Sequence, residues 1–126
     1  MATLELTTEN FNQVIESNDI VIVDFWAPWC GPCKSFAPTF EAASESHPDV
    51  VFAKVNTEDE TDLAQDCGIR SIPTLMLFRQ KVLLFNEAGA LAPAQLEDML
   101  AKVKELDMDQ VRASMAEAKA EQASGE

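Results

Sequence analysis

The chain has 126 residues, 47% of them apolar, with nine basic residues against twenty-two acidic ones and a formal net charge of −13. That length fits one domain able to bury its own core, and the apolar share excludes a disordered chain. So few, scattered Lys and Arg exclude a nucleic-acid binder, which needs them clustered to meet phosphates, and the acidity implies no more than solubility.

The N-terminal segment carries Glu5, Glu9 and Glu16 with no basic residue, so no secretory leader is expected. Apolar runs such as Ile20–Val23 are far too short to span a bilayer, and a soluble, cytoplasmic protein without membrane association is expected. Thr7 and Thr8 are candidate N-caps of a first helix with Phe11, Val14 and Ile15 on its inner face. Ile20–Trp26 is apolar on both alternating faces except at Asp24, the pattern of a central strand buried on both sides. Shortly after it come Cys30 and Cys33, with Gly31 and Pro32 between them. Proline suits the start of a helix, where its missing N–H is not needed. Cys30 then sits at a helix N-terminus, where unpaired N–H groups and the positive end of the helix dipole favour an anion. That anion is a thiolate, the nucleophile of disulfide exchange, and two cysteines three apart can close a disulfide across one turn. Cys33, one turn inside, lacks the terminal N–H groups and reads as the resolving thiol. Three cysteines are too few and too odd in number for a disulfide framework. A zinc site needs four ligands, and only Cys67 and His47 remain as further candidates, so no metal is expected.

The helix opened by Pro32 carries Cys33, Phe36, Ala37 and Phe40 at helical spacing, with Pro38 inside it as a kink. Val50–Val55 reads as a second buried strand, and Thr57–Cys67 as a short helix with acidic residues in its first turn, as the dipole prefers. Thr74–Phe78 and Val82–Phe85 form an antiparallel hairpin whose turn, Arg79-Gln80-Lys81, lacks Asn-Gly and should differ slightly from the usual form. Pro93 starts a helix bearing Leu96, Met99, Leu100 and Val103. Strands alternating with helices give an α/β fold, a mixed central sheet flanked by helices on both faces. Residues 1–105 make that domain. Residues 106–126 form an acidic C-terminal helical extension or tail, with Leu106, Val111, Met115 and Ala118 near helical spacing, Asp107 as N-cap and a fraying end at Ala123–Glu126.

Asp24 is an expensive residue for the middle of a buried strand. Desolvation raises a buried carboxyl toward the range useful to a general base, and Lys54 on the neighbouring strand is its candidate charge partner. Ile72–Pro73 precedes a strand, and its residues alone favour the trans peptide.

The stretch Val23-Asp24-Phe25-Trp26-Ala27-Pro28-Trp29-Cys30-Gly31-Pro32-Cys33-Lys34 closely resembles the active-site signature of the thioredoxin family. The resemblance continues through Ala53-Lys54-Val55-Asn56, Gly68-Ile69-Arg70-Ser71-Ile72-Pro73-Thr74 and Gly89-Ala90-Leu91, and covers residues 3–105. It implies the thioredoxin fold and a protein-disulfide reductant in which Cys30 attacks, Cys33 resolves and Asp24 moves the proton of Cys33. It also reverses the expectation for Pro73, implying a cis-proline loop that faces the cysteines and offers the Ile72 backbone to an extended peptide. Trp29, Gly31, Pro32, Ile72, Pro73 and Gly89 would line that docking patch. The resemblance further implies a monomer that binds no cofactor, takes electrons from NADPH through a thioredoxin reductase and hands them to disulfide-containing proteins. Gly-Pro between the cysteines resembles the reducing branch of the superfamily. A thioredoxin-fold isomerase or oxidase, or a non-enzymatic adaptor or chaperone working through the tail, stand as alternatives. Cys67 replaces what is often an aromatic in bacterial relatives, near the docking patch by family position, and reads either as a small helix-end residue or as a regulatory thiol.

Overall fold

The computed structural model describes residues 3–124; Gly125 and Glu126, at the end expected to fray, lie outside the described residues. In chain order the elements are β1 (Thr3–Glu5), α1 (Phe11–Ser17), β2 (Ile20–Trp26), α2 (Gly31–Ser46), β3 (Val51–Asn56), α3 (Thr61–Asp66), β4 (Thr74–Arg79), β5 (Val82–Ala88), α4 (Pro93–Glu105) and α5 (Met108–Ser124). One five-stranded sheet runs β1-β3-β2-β4-β5. β1 and β2 lie parallel to β3, whereas β4 is antiparallel to both β2 and β5. The mixed sheet covered on both faces is the architecture expected from the sequence.

Alternation along β2 explains how the two layers form, because successive side chains point to opposite faces. Ile20 and Ile22 join Phe52, Leu75 and Leu77 on the face covered by Phe36 and Phe40 of α2 and by Leu96, Leu100 and Val103 of α4. Val21, Val23 and Phe25 join Ala53, Val55 and Met76 on the other face, under Phe11 and Ile15 of α1 and Leu63 of α3. Phe40 and Phe52 meet edge to face with ring centroids 5.2 Å apart. Each such side chain, fully buried, stabilises the fold by roughly 1.5–3 kcal/mol. A strand flanked by two cores cannot slip its register by one residue without inverting both.

Several local expectations change. β1 leaves no trace in the sequence pattern, since three residues are too few to show a period and its place comes from pairing Thr3, Leu4 and Glu5 with Phe52, Ala53 and Lys54 of β3. Thr7 and Thr8 do not cap α1. The cap position is Asn10, whose Oδ1 accepts from Thr7 N at 2.7 Å, while Thr8 N donates to Glu60 Oε1 at 2.8 Å. α2 begins at Gly31, with Pro32 second, and runs on through Pro38. The helix expected over Thr57–Cys67 shrinks to Thr61–Asp66, because residues 57–60 form a turn clasped to the ends of β2 and β3. Asp107 does cap α5: its Oδ1 accepts from Asp109 N at 3.0 Å and Gln110 N at 3.3 Å. Met108 is buried at the start of that helix, while Met115 further along is half exposed.

The β4–β5 loop has two residues, and both are left-handed, with φ of 50° at Gln80 and 71° at Lys81. That is the type I′ pattern normally supplied by Asn-Gly, here adopted by residues that tolerate it poorly. A left-handed φ costs a non-glycine residue about 1 kcal/mol, part of which glycine returns through its freer unfolded chain. Lys81→Gly should therefore raise stability by roughly 0.5 kcal/mol, read as a higher urea midpoint at unchanged slope.

Candidate functional site

Four residues carry the chain from the end of β2 at Trp26 to the start of α2 at Gly31. Cys30 N donates to Ala27 O at 3.2 Å, closing a turn with Pro28 in the position whose φ proline presets. The turn delivers Cys30 to the N-cap of α2, where its Sγ accepts from Cys33 N at 3.2 Å. Cys30 and Cys33 are joined as a disulfide with Cα atoms 5.3 Å apart. Both are nearly buried and pack with Ala27, Trp26 and Ile72. Once the disulfide opens, the N–H that already points at Cys30 Sγ stabilises a thiolate there, helped by the helix dipole.

Ile72–Pro73 is cis, and Ile72 O lies 3.8 Å from Cys30 Sγ. Gly89 N donates to Pro73 O at 2.8 Å, and its φ of +109° is one only glycine adopts readily. The residues expected to form a docking patch are thus brought to one end of the sheet. Around the disulfide, Trp29, Gly31, Pro32 and Gly89 are exposed, Ile72 is half-buried and Pro73 is buried.

Asp24 shares the face of Ile20 and Ile22, which α2 covers. It is fully buried, and among the described residues neither carboxylate oxygen has a hydrogen-bond partner. Desolvation pushes its pKa from 3.8 up to about 7, with Lys54 pulling the other way. Lys54, the candidate charge partner, acts on Asp24 through its charge without a direct ion-pair contact. Lys54 stands beside Asp24 in the β2–β3 register, but its Nζ sits 4.8 Å from the centroid of the Trp26 ring. An ammonium over an indole face keeps part of its hydration, which a buried pair would lose. Cys67 ends α3 and lines a cleft with Thr8, Phe11, Asn12, Leu63 and Asp66; burial, and then Asp66, push its thiol pKa up. An elevated thiol pKa makes for a poor nucleophile.

Sequence reasoning missed Glu58, whose carboxylate accepts the Trp29 indole N–H. Its only signal was membership of an acidic run, and that run suited a helix start equally well. Among the described residues no group of three or more His, Cys, Asp or Glu could hold a metal ion, and no helix is long and apolar enough to cross a membrane.

Comparison with known proteins agrees with this geometry. The family model described as Thioredoxin matches residues 2–118. The Streptomyces coelicolor protein "Putative thioredoxin 2" is 52% identical over 120 residues, spanning 95% of this chain and 90% of that protein. A thioredoxin of Alicyclobacillus acidocaldarius is 44% identical over 103 residues, 81% of this chain and 98% of its own. Among solved structures, a mutant thioredoxin from Halobacterium salinarum superposes with a TM-score of 0.77 at 31% identity, over 83% of this chain and 93% of that one.

The raised pKa of Asp24 fixes the sign of a pH effect. The folded state holds this proton up to about pH 7, whereas the unfolded chain loses it near 3.8. Proton binding therefore favours the fold, and this contribution is lost as pH rises between those values. Oxidised Asp24→Asn should gain on wild type steadily from pH 4 to 7 and hold that gain above, by up to about 4 kcal/mol. Urea titrations of both proteins across pH 4–8 measure the difference. A constant difference would mean that the buried carboxyl is not raised.

Proposed function

The chain belongs to the thioredoxin family and carries out thiol–disulfide exchange through Cys30 and Cys33, and on that premise we propose how its residues divide the work. Cys30 is the attacking thiolate. It displaces one sulfur of a substrate disulfide, which leaves as a thiolate and takes up a proton, and a mixed disulfide remains on Cys30. Cys33 gives its proton to the Asp24 carboxylate and attacks Cys30 Sγ, releasing the second substrate sulfur and closing the Cys30–Cys33 bond. Two electrons pass to the substrate.

The observation that carries this division is the asymmetry of the pair. Cys30 caps α2 and receives the Cys33 N–H, while Cys33 lies inside the helix. Asp24 suits the second step because a carboxyl with a pKa of about 7 is partly ionised at neutral pH, ready to accept and return one proton. Lys54 biases that equilibrium through space rather than through contact. Trp29, Gly31, Pro32, Ile72 and Gly89 form the docking face and the buried Pro73 sets its cis loop, with main-chain groups of Ile72 as the recognition element, which suits many substrates. A soluble cytoplasmic monomer, re-reduced by an NADPH-dependent thioredoxin reductase, fits this chemistry. Residues 1–105 are its catalytic domain and 106–126 its extension, in which α5 (Met108–Ser124) has its own cap at Asp107.

In the reduced protein, iodoacetamide at pH 7 should label Cys30 at least about tenfold faster than Cys33 or Cys67, because only its thiolate is stabilised by free N–H groups. With NADPH and thioredoxin reductase the wild type should reduce insulin, Cys30→Ser should not, and Cys33→Ser should accumulate a mixed disulfide. Asp24→Asn should slow release of that mixed disulfide by about tenfold or more. Equal labelling of Cys30 and Cys33 would refute the assignment of the nucleophile.

A further inference from the structure

His47, the chain's only histidine, is the C-cap of α2, where its backbone N donates to Ala43 O at 3.1 Å. Both ring nitrogens face charged groups of α4. Nε2 lies 2.8 Å from Glu97 Oε1, and Nδ1 lies 2.8 Å from Lys104 Nζ. An ammonium can only donate, so Nδ1 is the bare acceptor and Nε2 carries the proton. Lys104 Nζ also reaches Asp49 Oδ2 at 2.9 Å. On the β3 side the imidazole meets the uncharged Phe52 ring, centroids 6.4 Å apart.

The last turn of α4 is thereby held from two directions. Arg79 Nη1, from β4, donates to Val103 O at 2.7 Å, Lys104 O at 3.3 Å and Leu106 O at 2.8 Å. A guanidinium stays charged in any folded protein, so this clamp does not change with pH. The second clamp, Lys104 on His47, does. A protonated imidazole has an N–H on both nitrogens and a positive charge, so it cannot accept from the ammonium and repels it. His47 then keeps Glu97, and Lys104 keeps Asp49 alone. Four residues beyond Lys104 the buried Met108 opens α5, so slack in this turn reaches the extension.

We propose that His47 is a pH-operated latch on the α4–α5 junction. Neutral, it accepts from Lys104 and fixes the last turn of α4. When it takes a proton from solvent it releases Lys104, and that turn opens locally together with the start of α5. Histidine changes charge between pH 5 and 8, a range in which exposed carboxylates and lysines ordinarily keep theirs.

The test follows backbone amide exchange in the oxidised full-length protein at pH 5 and pH 8, with each rate corrected for its intrinsic pH dependence. In wild type, protection over residues 104–111 should fall about fivefold at pH 5, the worth of one hydrogen bond. His47→Gln, whose amide can accept from Lys104 and donate to Glu97 but takes up no proton, should show no such fall. That variant keeps Asp24, so the titration of the buried acid cancels from the comparison. His47→Ala, without the acceptor at any pH, should be as weakly protected there at pH 8 as wild type is at pH 5. Nitrogen-15 NMR of the single imidazole at pH 8 should show Nδ1 bare and Nε2 protonated. The opposite tautomer would overturn the latch. So would equal protection of wild type at both pH values, or an equal fall in the Gln variant.

Discussion

Between Trp26 and Gly31 the chain leaves the middle of the sheet and enters the layer that covers it, and the reactive end of the molecule depends on that crossing. β2 is clamped from both faces and paired on both edges, to β3 and to β4. Its end is therefore a fixed point. The short turn from that point sets where α2 starts, and the Cys33 N–H of its first turn faces the Cys30 sulfur.

The second half of the site is assembled from distant chain by the same strand. β4 pairs with β2 through Phe25↔Thr74, which sets the Ile72–Pro73 loop just before the start of β4 against the cysteines. β5 then returns to hand Gly89 N to Pro73 O. On the other edge, β3 delivers the 57–60 turn to Trp26 and Trp29. Three loops converge because one central strand fixes where each neighbour ends.

Asp24 sits in that strand at a cost to stability, as its two buried oxygens find no protein donor among the described residues. An apolar residue would pack there without the desolvation cost. The same desolvation raises its pKa into the neutral range, so the property that weakens the fold is the one that suits proton transfer. Lys54 is kept near enough to be felt and is turned aside onto Trp26, so the carboxyl is not pinned in its charged form.

Much of this was legible in the sequence because it follows from short-range periodicity. The double-faced apolar pattern of Ile20–Trp26, the Pro32 helix start and the lone carboxylate at Asp24 need only neighbours along the chain to be read. The spacing of Cys30 and Cys33 identified the chemistry for the same reason. What only the tertiary structure decided involves partners far apart in sequence. β1 exists because β3 offers it an edge, and Thr8 serves Glu60 instead of capping its own helix. The Gln80-Lys81 turn takes a glycine-like backbone because the hairpin twist demands it. Lys54 chooses an aromatic face over the adjacent acid, and Glu58 finds Trp29 across twenty-nine residues. A sequence states each side chain's capacity for contact. Which capacity is used depends on what the fold places within a few ångströms, and on the free energy of leaving water to reach it.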